Sequence, residues 1–201
     1  MTAILDEFKK GWGIMLHPSQ ATSWPSVGGA LGFYYKAAVI PFILFVVLWG
    51  TLSGFLLGFL GFFLGGLVGT AGLGTLLGVG GGYVLFLILG ILSYFILGPI
   101  GLLVESGVMQ GIGRGVKKFN NAYSATLSGN VWGTMPSIML SWIPFVSLIG
   151  GIWAAVVDII AISKVQNTSG KAAFGVWILT IIVFALIYLA VILAVTIGIA
   201  H

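Results

Sequence analysis

Cysteine is absent from this 201-residue chain, which excludes a disulfide framework and a thiolate metal site. Charge is nearly as scarce: 6% of the residues are charged and 59% are apolar. So little charge cannot cover a water-soluble domain of this length, and the mean hydropathy of +1.19 points to lipid as the solvent. The only histidines are His17 and His201, so no serine–histidine–acid set can be assembled and no metal-ligand spacing occurs. An enzyme is the least expected class, and no catalytic residue, cofactor, metal or nucleic-acid partner is expected. The opening MTAILDEFKKGWG has mixed charge and no prompt apolar core, unlike a secretory signal.

What the chain has in quantity is apolar run. A span needs roughly 20 apolar residues to cross about 30 Å of hydrocarbon, and five stretches qualify: residues 37–57, 83–107, 124–142, 145–163 and 172–199. Gly98-Pro99 predicts a kink in the second, and Pro136 a bend or a released carbonyl in the third. The segment SWIPF, around Pro144, reads as a tight turn. The expected fold class is all-α: an integral membrane bundle of five transmembrane helices forming one domain over residues 37–201. A cytoplasmic amphipathic segment over residues 1–36 precedes it.

The bases test that count. Lys9, Lys10 and Lys36 precede the first span, Arg114, Lys117 and Lys118 follow the second, and Lys164 and Lys171 follow the fourth. Five crossings put every one of them on the same side, which is then cytoplasmic. The N-terminus is expected inside and the C-terminus outside, in the cytoplasmic membrane if the source is prokaryotic.

A glycine-rich stretch, GFFLGGLVGTAGLGTLLGVGGG, joins the first two spans. Gly50, Gly54, Gly58, Gly61, Gly65 and Gly69 recur every three or four residues, within an arc of about 100° on a helix. Gly74, Gly78 and Gly82 form a second row. Bare faces of this kind let helices approach closely, either for packing within one chain or for an oligomer contact or pore lining. A helix from residue 37 to residue 72 would be about 54 Å long, so a break is expected near Gly58–Gly61 or near Gly72–Gly74. The stretch either dips into the membrane or lies on it. No Gly-Lys-Ser/Thr follows, so it is not a phosphate loop.

At the N-terminus, Ile4, Leu5, Phe8, Trp12, Met15 and Leu16 share one helical face, with Asp6, Lys9 and Lys10 off it and His17-Pro18 ending the pattern. A short helix of this kind lies in the headgroup plane, with Phe8, Trp12 and Leu16 as interfacial anchors. Its expected role is an anchor packed on the bundle, or a sensor of lipid or a partner. Trp24, Tyr34 and Tyr35 read as aromatic-belt residues.

Only two ionisable residues fall inside spans, Glu105 and Asp158, the candidate intramembrane polar site. Each pairs with a base or hydroxyl at the inner rim, or the two share a proton or cation site, or they face separate helices and never meet. The loop KKFNNAYSATLSGN, with Asn120, Asn121, Ser124, Thr126 and Asn130, reads as a polar span entry in contact with water, headgroups or a partner.

The second half, from KKFNNAYSATLSGNVWGTMPSIMLSWIPFVSLIGG through SGKAAFGVWI, resembles the Yip family of polytopic membrane proteins. The similar elements are Phe119, the small-residue run to Pro136, Ile143-Pro144, Gly150-Gly151, Trp153 and Ser169-Gly170-Lys171-Ala172. Trp12 to Leu16 followed by Pro18 is similar to the family's start. The resemblance implies a five-helix membrane fold with a cytoplasmic N-terminus. Eukaryotic members are linked to Rab-type GTPases and vesicle formation. This chain lacks their Asp-Leu-Tyr-Gly-Pro element and long N-terminal domain and looks more like the short prokaryotic type, which puts the GTPase link in doubt. The first expectation is a non-catalytic membrane-organising scaffold, in contact with the bilayer, recruiting a cytoplasmic protein partner and self-associating as a homo-oligomer. The alternative is a small transporter or channel using Glu105 and Asp158.

Overall fold

The computed structural model describes residues 2–67, 81, 83–143 and 145–199, with backbone alone for residues 57, 58, 61–67 and 197–199. Among the described residues the protein is all-helical, with no strand. The helices are α1 (Thr2–Leu16), α2 (Val27–Leu67), α3 (Tyr83–Gly115), α4 (Tyr123–Leu140), α5 (Val146–Val165) and α6 (Gly170–Ile199). A short 3-10 turn, Pro18–Gln20, follows α1.

Four of these helices, α2, α3, α5 and α6, are long and apolar enough to cross a membrane. The expected third span, α4, is not among them. Its serines, threonines and asparagine lower its hydropathy, and it compensates by being enclosed: most of its residues are buried by the other helices. Polar side chains are costly against lipid, and α4 holds most of its own inside the bundle, among the other helices.

The expected break near Gly58–Gly61 does not occur, because α2 runs unbroken from Val27 to Leu67. In an apolar solvent an interrupted helix leaves backbone groups unpaired at several kcal/mol each, roughly, more than the ~1 kcal/mol that a helical glycine costs. The alternative break near Gly72–Gly74 lies outside the described residues. So do Gly69, Gly74, Gly78 and Gly82 of the glycine rows, while Gly58, Gly61 and Gly65 are described as backbone of α2 only. Gly50 and Gly54 are buried. At Gly50 a Cβ would stand 2.7 Å from the Tyr83 ring, so this glycine serves a contact between α2 and α3 within the chain.

Just before Gly98-Pro99, where a kink is expected, α3 carries a π-helical stretch, Ile91–Leu97. Pro99 has no N–H for the carbonyl of Phe95, and the Tyr35 hydroxyl donates to that carbonyl instead at 3.4 Å. Tyr35 is thus tied to α3, and Tyr34 is buried with 3% exposure. Trp24 stacks on Trp132 and Phe33 with ring centroids 4.6 and 4.9 Å away. Trp24 and Tyr34 therefore face the protein interior rather than a lipid belt.

α1 also turns inward. Gly11, Ile14 and Met15 are its buried residues, because a glycine at position 11 lets the helix rest on Met135 and Met139 of α4. Phe8 and Trp12 are half-buried against the core, whereas Leu16 is 63% exposed. Three indole or backbone donors fix the returning chain: Trp153 Nε1 to the Met15 carbonyl, Trp132 Nε1 to the Thr22 carbonyl, and the Trp24 amide to Ser128 Oγ, all at 2.8–2.9 Å. Lys10 Nζ stands 5.6–5.7 Å from the Trp24, Phe33 and Trp132 rings, over their negative faces.

The central packing is α4 against α5. Ala125, Gly129, Gly133 and Ser137 recur every fourth residue of α4 and give it one face of small side chains. A Cβ on Gly129 would stand 3.0 Å from Ile162 Cγ1, and one on Gly133 2.5 Å from Asp158 Cβ. From α5, Gly150 packs on the Pro136 carbonyl, 3.1 Å from where its Cβ would be. The hairpin joining the two helices carries Phe145 at φ 64°. It lies level with Tyr94, whose hydroxyl pairs with Ser141. From there α3 continues to Tyr83, about 16 Å further at helical rise, so α3 reaches well past the hairpin.

Replacing Gly129 by valine should therefore force α4 and α5 apart and cost about 1–3 kcal/mol, read as a lower thermal unfolding midpoint in detergent. Gly111→Ala, where nothing stands within 4 Å, should be neutral or raise the midpoint by about 0.5–1 kcal/mol equivalent. Equal effects at the two glycines would contradict the packing described.

Candidate functional site: an acidic cavity beside α4

The small face of α4 leaves room as well as contact. Between α3, α4, α5 and α6 lies a cavity of about 180 Å³. Its depth follows from sequence position: Asp158 is seven residues from the end of α5 at Val165, about 10 Å by helical rise. α3 contributes Glu105 and α5 contributes Asp158. α4 supplies Asn130, Thr134 and Ser137, and Trp177 of α6 closes one side. Gly133, Gly151, Ala154 and Ala155 make the rest of the wall, and their lack of bulk is what keeps the space open.

Each polar group is aimed by its helix. Asn130 Nδ2 donates to Ser106 Oγ at 2.9 Å, which fixes the amide and leaves Oδ1 without a partner. The Thr134 hydroxyl donates to the Val131 carbonyl at 2.9 Å, so it presents lone pairs elsewhere. Asp158 is 7% exposed and held against Gly133, and its Oδ1 has no hydrogen-bond partner. No lysine, arginine or histidine lines the cavity. Of the three arrangements open from the sequence, the structure brings Glu105 and Asp158 to one cavity and does not seat either beside a base there.

Two carboxyl groups, the Asn130 amide oxygen and the Thr134 hydroxyl make an all-oxygen set of the kind hard cations take. An unpaired buried carboxylate costs several kcal/mol, so the site is complete only with a proton, a cation or ordered water. At about 30 Å³ per water molecule the cavity has room for several, or for a cation with part of its shell.

A second polar cluster lies one turn nearer the α3–α4 loop, and its chemistry is the opposite. Gln166 Nε2 donates to Gln110 Oε1 at 3.1 Å and to Thr126 Oγ1 at 2.7 Å, and the Thr126 hydroxyl donates to Gln110 Oε1. Gln110 Nε2 donates to the Asn121 carbonyl at 2.9 Å. The Asn121 amide donates to Gln166 Oε1 at 3.1 Å, and its side chain to the Val165 carbonyl at 2.6 Å. Every group has a partner, which is what a structural clamp requires. Thr126 and Asn130, read from sequence as part of a solvent-contacting span entry, are thus buried. Asn121 ties the two loops together.

The chain matches no family model, no curated protein and no solved structure.

The sequence reading named the two acids but missed Asn130 as a member of their site and missed Gly133, which positions Asp158. The pattern Gly129-x-x-x-Gly133, inside GNVWG, carried that information. None of Phe8, Trp12, Gly50 and Gly54 lines the cavity: Phe8 and Trp12 pack on the core, and Gly50 meets Tyr83 of α3.

If Asp158 has no compensating partner, Asp158→Asn should stabilise the protein in cation-free buffer, by about 1–3 kcal/mol, read as a higher unfolding midpoint. A lower midpoint would reveal a partner that holds the carboxylate in place.

Proposed function

We propose that the protein is a small membrane transporter or channel that binds a cation between Glu105 and Asp158. One observation carries this reading: two carboxyl groups on different helices line one cavity that contains no basic side chain, beside the unpartnered oxygens of Asn130 and Asp158. Intramembrane acids are expensive to keep, and facing a polar interior cavity is the arrangement expected of an ion pathway. The ligand is a proton or a small metal cation, because the only charge lining the site is negative and most of its polar atoms are oxygens, the Trp177 indole N–H beside Asp158 being a neutral donor.

The proposed orientation puts the loops bearing Arg114, Lys117, Lys118, Lys164 and Lys171 in the cytoplasm, with the N-terminus inside and the C-terminus outside. α4 enters from the cytoplasmic side and α5 returns to it. This parity holds whether that hairpin crosses completely, giving five spans, or turns back short of the outer surface.

A second reading, a non-catalytic scaffold of Yip type that recruits a cytoplasmic partner or self-associates, is favoured by α1. That helix is fixed to the bundle by Trp153 and Lys10, yet it leaves Leu5 45% and Leu16 63% exposed. An exposed apolar edge on a rigid element suits a lipid surface or a partner helix.

Reconstituted protein should pass protons, Na⁺ or K⁺ down a gradient faster than empty vesicles. Asp158→Asn and Glu105→Gln should each lower that flux by about tenfold or more. Wild-type flux in the double amide variant would rule out the cation pathway and leave the scaffold reading.

A further inference from the structure

The acidic cavity has a neighbour. On the other side of α4, between α2, α3 and α4, lies a second cavity of about 260 Å³. Its wall is mainly apolar, with Phe45 and Ile138, and carries the hydroxyl groups of Tyr34, Ser93, Tyr94, Ser137 and Ser141 and, among the described residues, no charge. Ser137 lines both cavities. Among the described residues it is the one that the two share, and it stands directly after Pro136 in α4.

The helices around this second cavity are irregular where they meet it. Ser93 and Tyr94 belong to the π-helical stretch of α3, a geometry found often at functional sites. On the α4 side, Pro136 has no N–H to give the carbonyl of Trp132. Such a carbonyl is left for a side chain, water or ion to satisfy. The Tyr94 hydroxyl pairs with Ser141, and the Ser141 hydroxyl donates to the Ile138 carbonyl at 2.7 Å. That pair lies at the hairpin end of α4, so the second cavity is nearer the hairpin than the acidic one, one turn of α4 beyond Ser137.

We propose that the two cavities form one path for the cation, with the Ser137 hydroxyl as the step between the acidic site and the second cavity, whose polar side chains are all hydroxyls. The proposal rests on the reading of the acidic cavity as a cation site and adds the route by which the ion leaves it. The division of labour follows from the linings. Carboxylates draw a cation in and hold it, whereas a few neutral hydroxyls in a largely apolar wall contact it, with its remaining water, without trapping it. Conduction needs both, since binding must be favourable enough to enter and weak enough to leave. A hydroxyl at the junction can accept from a hydrated proton or contact a metal ion with its lone pairs, and can donate onward to the next oxygen. No covalent bond changes along this path.

Threonine and valine at position 137 separate shape from chemistry, because they have the same outline and only threonine keeps the hydroxyl. Flux of H⁺, Na⁺ and K⁺ would be measured in proteoliposomes containing wild type, Ser137→Thr or Ser137→Val. Binding would be read separately in detergent, as the rise in unfolding midpoint in NaCl or KCl over choline chloride. The path predicts that Ser137→Thr keeps flux within about twofold and that Ser137→Val lowers it about tenfold. Both should keep the salt-dependent midpoint shift of wild type. Equal flux in the two variants overturns the path and leaves the cation site standing. Loss of the midpoint shift in Ser137→Val would place Ser137 in the binding site and overturn its role as the step beyond it. Wild type with neither flux nor a salt-dependent midpoint overturns the cation reading itself and the path with it.

Discussion

The distance between α4 and α5 is set by backbone rather than side chains, and the rest of the interior follows from that. At Gly129 and Gly133 of α4 the place of a Cβ is taken by atoms of the facing helix, and at Gly150 of α5 the Pro136 carbonyl stands 3.1 Å from it. Helices in lipid gain little from burying apolar groups against each other, because the lipid is equally apolar. Close backbone approach and interhelical hydrogen bonds supply the association instead. Widening this one contact would withdraw Asp158 from Gly133, open the Gln110–Thr126–Gln166 clamp and loosen the hold of Trp153 on α1.

The same contact explains how a helix as polar as α4 can exist here at all. Surrounded by α1, α2, α3 and α5, it exchanges lipid for protein partners along its length. Toward the loops the exchange is complete, and each amide and hydroxyl of the clamp finds a mate. One turn further the exchange is incomplete, leaving Asn130 Oδ1 and Asp158 Oδ1 buried beside the cavity without a hydrogen-bond partner. A chain that can satisfy Gln110, Thr126 and Gln166 so fully has the means to satisfy Asp158 as well. That contrast, rather than the presence of acids alone, marks the cavity as a place kept for something other than the protein.

Much of the architecture was legible in the sequence. Apolar run length located α2, α3, α5 and α6, and Gly98-Pro99 marked the irregularity in α3. Glu105 and Asp158 stood out because ionisable residues in such runs are rare. Three features were not legible for physical reasons. The N-terminal helix has an amphipathic face suited equally to headgroups or to protein, and only the fit of Gly11 against Met135 and Met139 decides between them. The polar residues of α4 look like a water-facing entry until the surrounding helices are in place. Counting bases by side cannot tell a hairpin that crosses from one that turns back, since both return the chain to where it began. The long glycine rows drew notice first, yet the contact on which the acidic cavity depends uses the inconspicuous GNVWG of α4.

The account stands on the acidic cavity being wet and selective for positive charge, and the cysteine-free chain allows that to be read directly. A single cysteine at Thr134 would be treated in proteoliposomes with small thiol reagents of equal size, one cationic and one anionic. The account predicts that the cationic reagent reacts at least about tenfold faster. That preference should vanish when Glu105→Gln and Asp158→Asn are added. A cysteine at 134 no more reactive than one at lipid-exposed Leu186, or one indifferent to the reagent's charge, would contradict it.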